Sequence, residues 1–216
     1  MNGHVKNMHF QQHVERAATL LCFLLLLAVD TTKTVEAGKN QGCDSDLQKT
    51  QKLTRLIHKQ TGDLIKAYKA SEGEMAQLFC KASRSDIPDP NISGLEPSER
   101  MASIYTQLQA FSPHLKRVQE QQMDLQPPKS LLLDLIQKVR DHSVRLTSRI
   151  NNFYHNFFPN LPLPDPAGGP TTLPLPQNIF QQKIYGCVVL TTYKKLLNNI
   201  SKDMRTLKSK VCTRAR

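Results

Sequence analysis

From Cys43 onward, apolar side chains recur every three to four residues in four separate stretches, the spacing that gives a helix one apolar face. The first carries Leu47, Leu53, Leu56, Ile57, Leu64 and Tyr68, with Asp44 or Ser45 placed to cap its start and Gly73 to stop it. The second opens at Glu96-Pro97, proline being tolerated in a first turn, and continues through Met101, Ile104, Leu108, Phe111, Leu115 and Val118. Pro113 inside it predicts a kink. Pro127-Pro128 break the chain before a third stretch of Leu131, Leu132, Leu135, Val139, Leu146, Ile150 and Phe153. The fourth starts near Asn178 and runs through Ile184, Val188, Tyr193, Leu196, Ile200, Met204, Leu207 and Val211. Strand-like alternation and internal repeats are both absent, so the predicted class is all-α.

Connection lengths predict how these helices are arranged. Each spans roughly 25–30 residues, or about 40 Å at 1.5 Å per residue, and returning along that length takes about 12 extended residues. Glu74 to Leu95 and Asn156 to Gln177 are both long enough for that return, whereas Asp124 to Lys129 forces an antiparallel turn. The second long connection holds Pro159, Pro162, Pro164, Pro166, Pro170, Pro174 and Pro176, which makes it a stiff, extended crossover. Long, short, long is the pattern of a long-chain up-up-down-down four-helix bundle with two long crossover loops.

The segment before the first helix is different in kind. An apolar run from Ala17 to Val29 follows a polar stretch ending at Arg16, and small residues follow at Val35-Glu36-Ala37. The run is shorter than the roughly 20 residues a membrane-spanning helix needs. It predicts a secretory signal peptide over residues 1–37, leaving 38–216 as one helical domain. No later apolar run is long enough to span a bilayer, so the expected product is a secreted, extracellular protein with no transmembrane segment. Its charge stays at +11, because residues 1–37 hold three Lys or Arg and three Asp or Glu.

Removing Cys22 with the leader leaves four cysteines, Cys43, Cys80, Cys187 and Cys212, which in an exported chain favour two disulfides. In the predicted topology the first and last helices run in opposite directions. Cys43 then lies near Cys212, and Cys80 near Cys187. Cys187 with Cys212 would bridge 25 residues of one helix, about 37 Å, against the roughly 7 Å a disulfide allows between Cα atoms. Cys43 with Cys187 would join opposite ends of the bundle. Only Cys43–Cys212 with Cys80–Cys187 fits. Two sequons, Asn91-Ile92-Ser93 and Asn199-Ile200-Ser201, suit the same compartment, the first in a loop and the second inside a helical stretch.

Chemistry adds mostly exclusions. Nucleophile-elbow, phosphate-loop, zinc-protease and dinucleotide motifs are absent, and His58, His114, His142 and His155 are scattered without ligand spacing. No catalytic residue, metal ligand or cofactor is therefore assigned, and the expected class is a binding protein rather than an enzyme. Lys202, Arg205, Lys208, Lys210, Arg214 and Arg216 make the C-terminal segment basic, which suits heparan sulfate or another anionic surface as well as a solvated helix face. Nucleic acid would suit the charge alone, but no recognition module accompanies it and the leader directs the chain elsewhere.

The start of the fourth helix, Asn178-Ile179-Phe180-Gln181-Gln182-Lys183-Ile184-Tyr185-Gly186-Cys187, resembles leukaemia inhibitory factor and oncostatin M, which carry Phe-x-x-Lys, then Gly-Cys, then a Tyr matched here by Tyr193. Ciliary neurotrophic factor shares the Phe-x-x-Lys and the Gly, and Ser98-Glu99-Arg100 with Leu108-Gln109-Ala110-Phe111 is closer to that branch. Leu53-Thr54-Arg55, Tyr68 and Glu72-Gly73-Glu74 also look like this interleukin-6-type family. The resemblance implies a monomeric cytokine and growth factor. It would bridge class I cytokine receptors, a leukaemia inhibitory factor receptor-like one and the family's shared signalling receptor, to drive JAK–STAT phosphorylation. It also implies that Phe180 and Lys183 contact the first receptor and that Cys80 and Cys187 form a family disulfide. Read from spacing alone, Phe180 is a core cap and Lys183 a solvated charge. The competing function is a secreted basic bundle that binds heparan sulfate or anionic surfaces without a signalling receptor.

Overall fold

A computed structural model describes residues 42–73, 75–162 and 178–212. The segment read as a leader (1–37), the greater part of the proline-rich crossover, and Arg214 and Arg216 lie outside the described residues. Helices occupy residues 42–72 (α1), Ala76–Phe79 (α2), Pro97–Leu125 (α3), Leu131–Phe157 (α4) and Ile179–Val211 (α5), and the described residues contain no strand. The four long helices are those that the apolar spacing predicts. The additional α2 holds a single turn in the first crossover, with Ala76 and Phe79 buried.

Local chemistry sets the ends. Gly73 closes α1 at φ +73°, a left-handed conformation that costs glycine little. α1 is already helical at residue 42, ahead of the Asp44 or Ser45 cap expected from sequence, and its first turn is held by the disulfide at Cys43. At the start of α3, the Glu99 carboxylate accepts from the Leu95 and Glu96 N–H groups (2.9 and 3.2 Å), and these bonds lower its pKa. α3 then runs unbroken through Pro113. Ser130 caps α4, accepting from the Leu133 N–H.

Side-chain contacts give the direction of each helix. Asp44 pairs with Lys208 (2.8 Å) while Tyr68, near the other end of α1, bonds Lys183 at the start of α5, so α1 and α5 are antiparallel. Gln122 near the end of α3 reaches Tyr68 near the end of α1 (3.4 Å), so these two are parallel. Arg100 pairs with Asp203 (2.6 Å) and His114 with Tyr185, which sets α3 against α5. Tyr193 bonds Ser143 (2.7 Å), placing the middle of α5 beside the middle of α4. The result is up-up-down-down.

The core is aromatic and aliphatic, with Tyr68, Phe111, Tyr185 and Tyr193 fully buried among Leu, Ile and Met from every long helix. Two periodicity assignments change. Leu56 and Leu131 are exposed, at 43% and 69%. On α1 the interior positions are taken instead by Thr50, Thr54 and Thr61, whose hydroxyls donate to carbonyls four residues back and so need no other partner. The structure joins Cys43 to Cys212 and Cys80 to Cys187, with Cα separations of 5.6 and 5.0 Å.

Tyr68 lies against Gly186. A Cβ at 186 would meet the tyrosine hydroxyl oxygen directly and sit 2.9 Å from its Cζ. Gly186→Ala is therefore expected to destabilise the fold by about 1–3 kcal/mol, the usual range for overpacking. Tyr68→Phe in the same chain should recover only part of this, because the ring carbon still obstructs. Denaturant midpoints of the three variants check both statements.

Candidate functional site

The first turn of α5 is fixed by a reciprocal cap. The Asn178 side chain accepts from the Gln181 N–H (2.9 Å), and the Gln181 side chain accepts from the Asn178 N–H (3.3 Å). Phe180 and Lys183, three residues apart, share a face of that turn. Phe180 is 55% exposed, yet its ring has a packing partner. It meets Phe79 of α2 edge-to-face, with centroids 5.2 Å apart and planes at 87°. Phe79 itself is buried and precedes Cys80, which the disulfide holds to Cys187 two turns into α5.

Lys183 is tied at both its backbone and its side chain. Its carbonyl accepts from the Tyr68 hydroxyl (3.0 Å), and its Nζ lies 2.6 Å from Oε2 of Glu72. Glu72 is the last residue of α1, and its side chain is only 1% exposed. Desolvation, reinforced by the Glu72 charge, pushes the Tyr68 phenol above its ordinary value, so it stays a neutral donor to the Lys183 carbonyl. Met75 just before α2, Leu78 of α2 and Ile179 of α5 are exposed apolar side chains close in sequence to this pair of rings. Sequence reading singled out Phe180 and Lys183 but not Glu72, Phe79, Met75, Leu78 or Ile179. The available signal was the position of Phe79 beside Cys80.

Beneath this end lies a buried polar cluster. Nδ1 of His114 is 2.7 Å from the Tyr185 hydroxyl, and both side chains are inaccessible. Arg84 stands over the Tyr185 ring, 5.4 Å from its centroid, and forms a two-pronged ion pair with Asp86 (2.9 and 2.7 Å). That pair raises the Arg84 pKa and lowers that of Asp86. The crossover just beyond Cys80 is thus fastened to α3 and α5 through Tyr185. His142, the other helix-borne histidine of interest, is half-buried and bonds Gln60 of α1 (2.7 Å). Among the described residues no group of three or more His, Cys, Asp or Glu is placed to hold a metal ion, and no helix is long and apolar enough to cross a membrane.

The sequons differ in setting. Asn91 is exposed in a loop, whereas Asn199 lies on α5 with its Nδ2 donating to the Pro90 carbonyl (3.0 Å).

A family model described as the LIF / OSM family matches residues 45–204. The chain belongs to the LIF / OSM family. A search of curated proteins returns no matching sequence. The LIF / OSM match takes in α1 from its first turn, both crossovers, the Cys80–Cys187 bridge and the Phe180–Lys183 turn, and ends at Met204. Cys43 and Cys212 both fall outside it, so the second bridge is a feature of this chain beyond the matched LIF / OSM region. Membership makes the chain an α-helical cytokine.

Burial pushes the His114 imidazole below its ordinary value near 6.5, and the Asp86 carboxylate opposes this only in part. The unfolded chain then takes up a proton near pH 6.5 that the folded chain resists. Stability is complete above that pH and falls as pH drops below it. His58, lowered in the same direction, adds a second contribution. The denaturant midpoint is expected to fall between pH 7 and pH 5, and His114→Gln should flatten that fall without abolishing it.

Proposed function

We propose that this chain is a secreted cytokine that bridges a leukaemia inhibitory factor receptor-like subunit and the family's shared signalling receptor, and thereby triggers JAK–STAT phosphorylation. Residues 1–37 act as the signal peptide in this reading, and 38–216 form the active, monomeric ligand. The observation that carries it is the half-exposed Phe180, pinned on Phe79 with Lys183 beside it. A rigid aromatic held out of the core loses little conformational freedom on binding, which is what an interface hot spot requires. In this reading the exposed Met75, Leu78 and Ile179, close in sequence to Phe79 and Phe180, would help to exclude water from that contact. Lys183 offers a cation to the receptor through the part of its side chain that the Glu72 pair leaves open, about a third of it.

Phe180→Ala is the decisive variant, because Phe180 is exposed and its loss leaves the cap of α5 intact. It should cost at least about 2 kcal/mol of receptor affinity, roughly 30-fold in the dose that phosphorylates STAT, with the helical circular dichroism unchanged. Lys183→Ala should also reduce signalling, but it leaves Glu72 buried without its partner, so unfolding must be measured alongside. Full potency of the Phe180 and Lys183 double alanine variant would remove the assignment.

The same export route exposes both sequons to glycosylation. A glycan attaches through Nδ2, which is free to solvent at Asn91 and engaged at Asn199. Asn91→Gln is expected to bring the secreted protein to the mobility of the glycosidase-treated form, while Asn199→Gln leaves it unchanged.

A further inference from the structure

The outer face shared by α1 and α5 carries an unbalanced positive charge. Three contacts set its register. Asp44 pairs with Lys208, Gln51 donates to the Ser201 carbonyl (3.3 Å), and Lys194 Nζ crosses Gly62, 3.3 Å from the ideal Cβ position. Arg55 and Lys59 follow Gln51 at four-residue steps and turn outward from that contact line. Lys202 lies eight residues beyond Lys194 on α5 and turns outward to the same side, with Lys195 and Arg205 alongside. Arg55, Lys59, Lys195, Lys202 and Arg205 are exposed and Lys194 is half-buried.

Among the described residues, none of these six forms an ion pair with a carboxylate. The acids on this face, Asp44 and Asp63, are already engaged by Lys208 and Lys66. On the side where α3 meets α5 the charge is neutralised instead, Arg100 being paired with the largely buried Asp203. The field reaches across the helix pair: after burial, the Lys194 charge is the second cause that lowers the pKa of His58 on α1.

We propose that this face is a binding site for a linear sulfated polysaccharide of the heparan sulfate class. The cations follow two antiparallel helices rather than gathering at a point, and Lys194 to Arg205 spans about 17 Å of α5. A strip of that shape suits a linear polyanion. An anionic membrane fits less well, because interfacial helices insert large apolar side chains and α5 exposes none beyond Phe180 among its described residues. Fifteen residues, or about 22 Å of helix, separate Phe180 from Lys195, so the site goes beyond the proposed receptor contact and does not depend on it.

The test compares the purified full-length secreted protein with a Lys195→Gln, Lys202→Gln, Arg205→Gln variant, whose changed side chains are exposed and form no ion pair among the described residues. Wild type should elute from immobilised heparin at clearly higher salt than from a sulfonate cation exchanger. The triple variant should elute earlier from heparin, with the slope of log affinity against log salt reduced by roughly two to three, about one per lost charge contact as on nucleic acid polyanions. STAT phosphorylation on cells lacking heparan sulfate should match wild type, while Phe180→Ala should bind heparin normally. Equal elution from both resins, an unchanged triple variant, or tighter binding to phosphatidylserine vesicles than to heparin oligosaccharide would overturn the proposal. A silent Phe180→Ala with the heparin result intact would overturn the receptor assignment alone.

Discussion

One close approach organises the functional end of the bundle: the ring of Tyr68 against the bare backbone of Gly186. Because residue 186 has no side chain, α1 can bring a tyrosine onto α5 at the level where both helices meet the first crossover. The phenol then donates to the Lys183 carbonyl and receives the Gln122 amide, so one buried hydroxyl ties α1, α3 and α5. The next residue along α5 is Cys187, whose bridge draws in Cys80 and with it Phe79. Phe79 in turn supports Phe180. Lys183, Glu72, Phe79 and Phe180 are therefore all linked to this pair. The exposed aromatic is positioned by the core rather than by its own turn.

The two disulfides act on the weakness of this topology. An up-up-down-down bundle needs two crossovers that contribute little burial and must be ordered at an entropic cost. Bridges between residues 169 and 107 apart close long loops, each on the order of 4–5 kcal/mol by the chain-entropy account. They do not add fully, because one loop lies inside the other. Their positions divide the labour: Cys43–Cys212 holds α1 to α5 at one end, and Cys80–Cys187 fastens the first crossover at the other. Arg84 and Asp86 extend that second anchorage, clasping each other over Tyr185.

The number, extent and direction of the long helices were legible from apolar spacing and connection length, because each long helix presents a continuous stripe and a 40 Å helix cannot be retraced by a six-residue link. The bridges followed from the same geometry. What stayed hidden depends on three-dimensional proximity or on polar groups that bury themselves. Thr50, Thr54 and Thr61 read as surface residues until their hydroxyls are seen bonded to the preceding turn. Leu56 reads as core because spacing cannot tell which of the adjacent apolar positions, Leu56 or Ile57, the neighbouring helices cover. α2 is too short to show a period. Glu72 looks like a solvated charge at a helix end, yet its carboxylate is enclosed and answers Lys183. Phe180 and Lys183 were named through resemblance to a family, and spacing alone would have assigned both to ordinary structural duties.

The charge distribution also separates two kinds of binding surface. At the start of α5 Lys183 is held by a buried carboxylate, so the surroundings of Phe180 can be desolvated without stranding that charge. About 22 Å along α5, the α1–α5 face keeps its cations unpaired and largely solvated, a state suited to long-range, salt-sensitive attraction and poorly suited to a dry interface. Burying that face against a protein would require matched carboxylates on the partner, whereas a sulfated chain leaves most of its water in place. The two proposed surfaces lie at different levels of α5 and share no side chain, so neither contact would by itself obstruct the other. A ligand built this way can be retained on a polyanionic matrix while its apolar end remains presented for a second, drier contact.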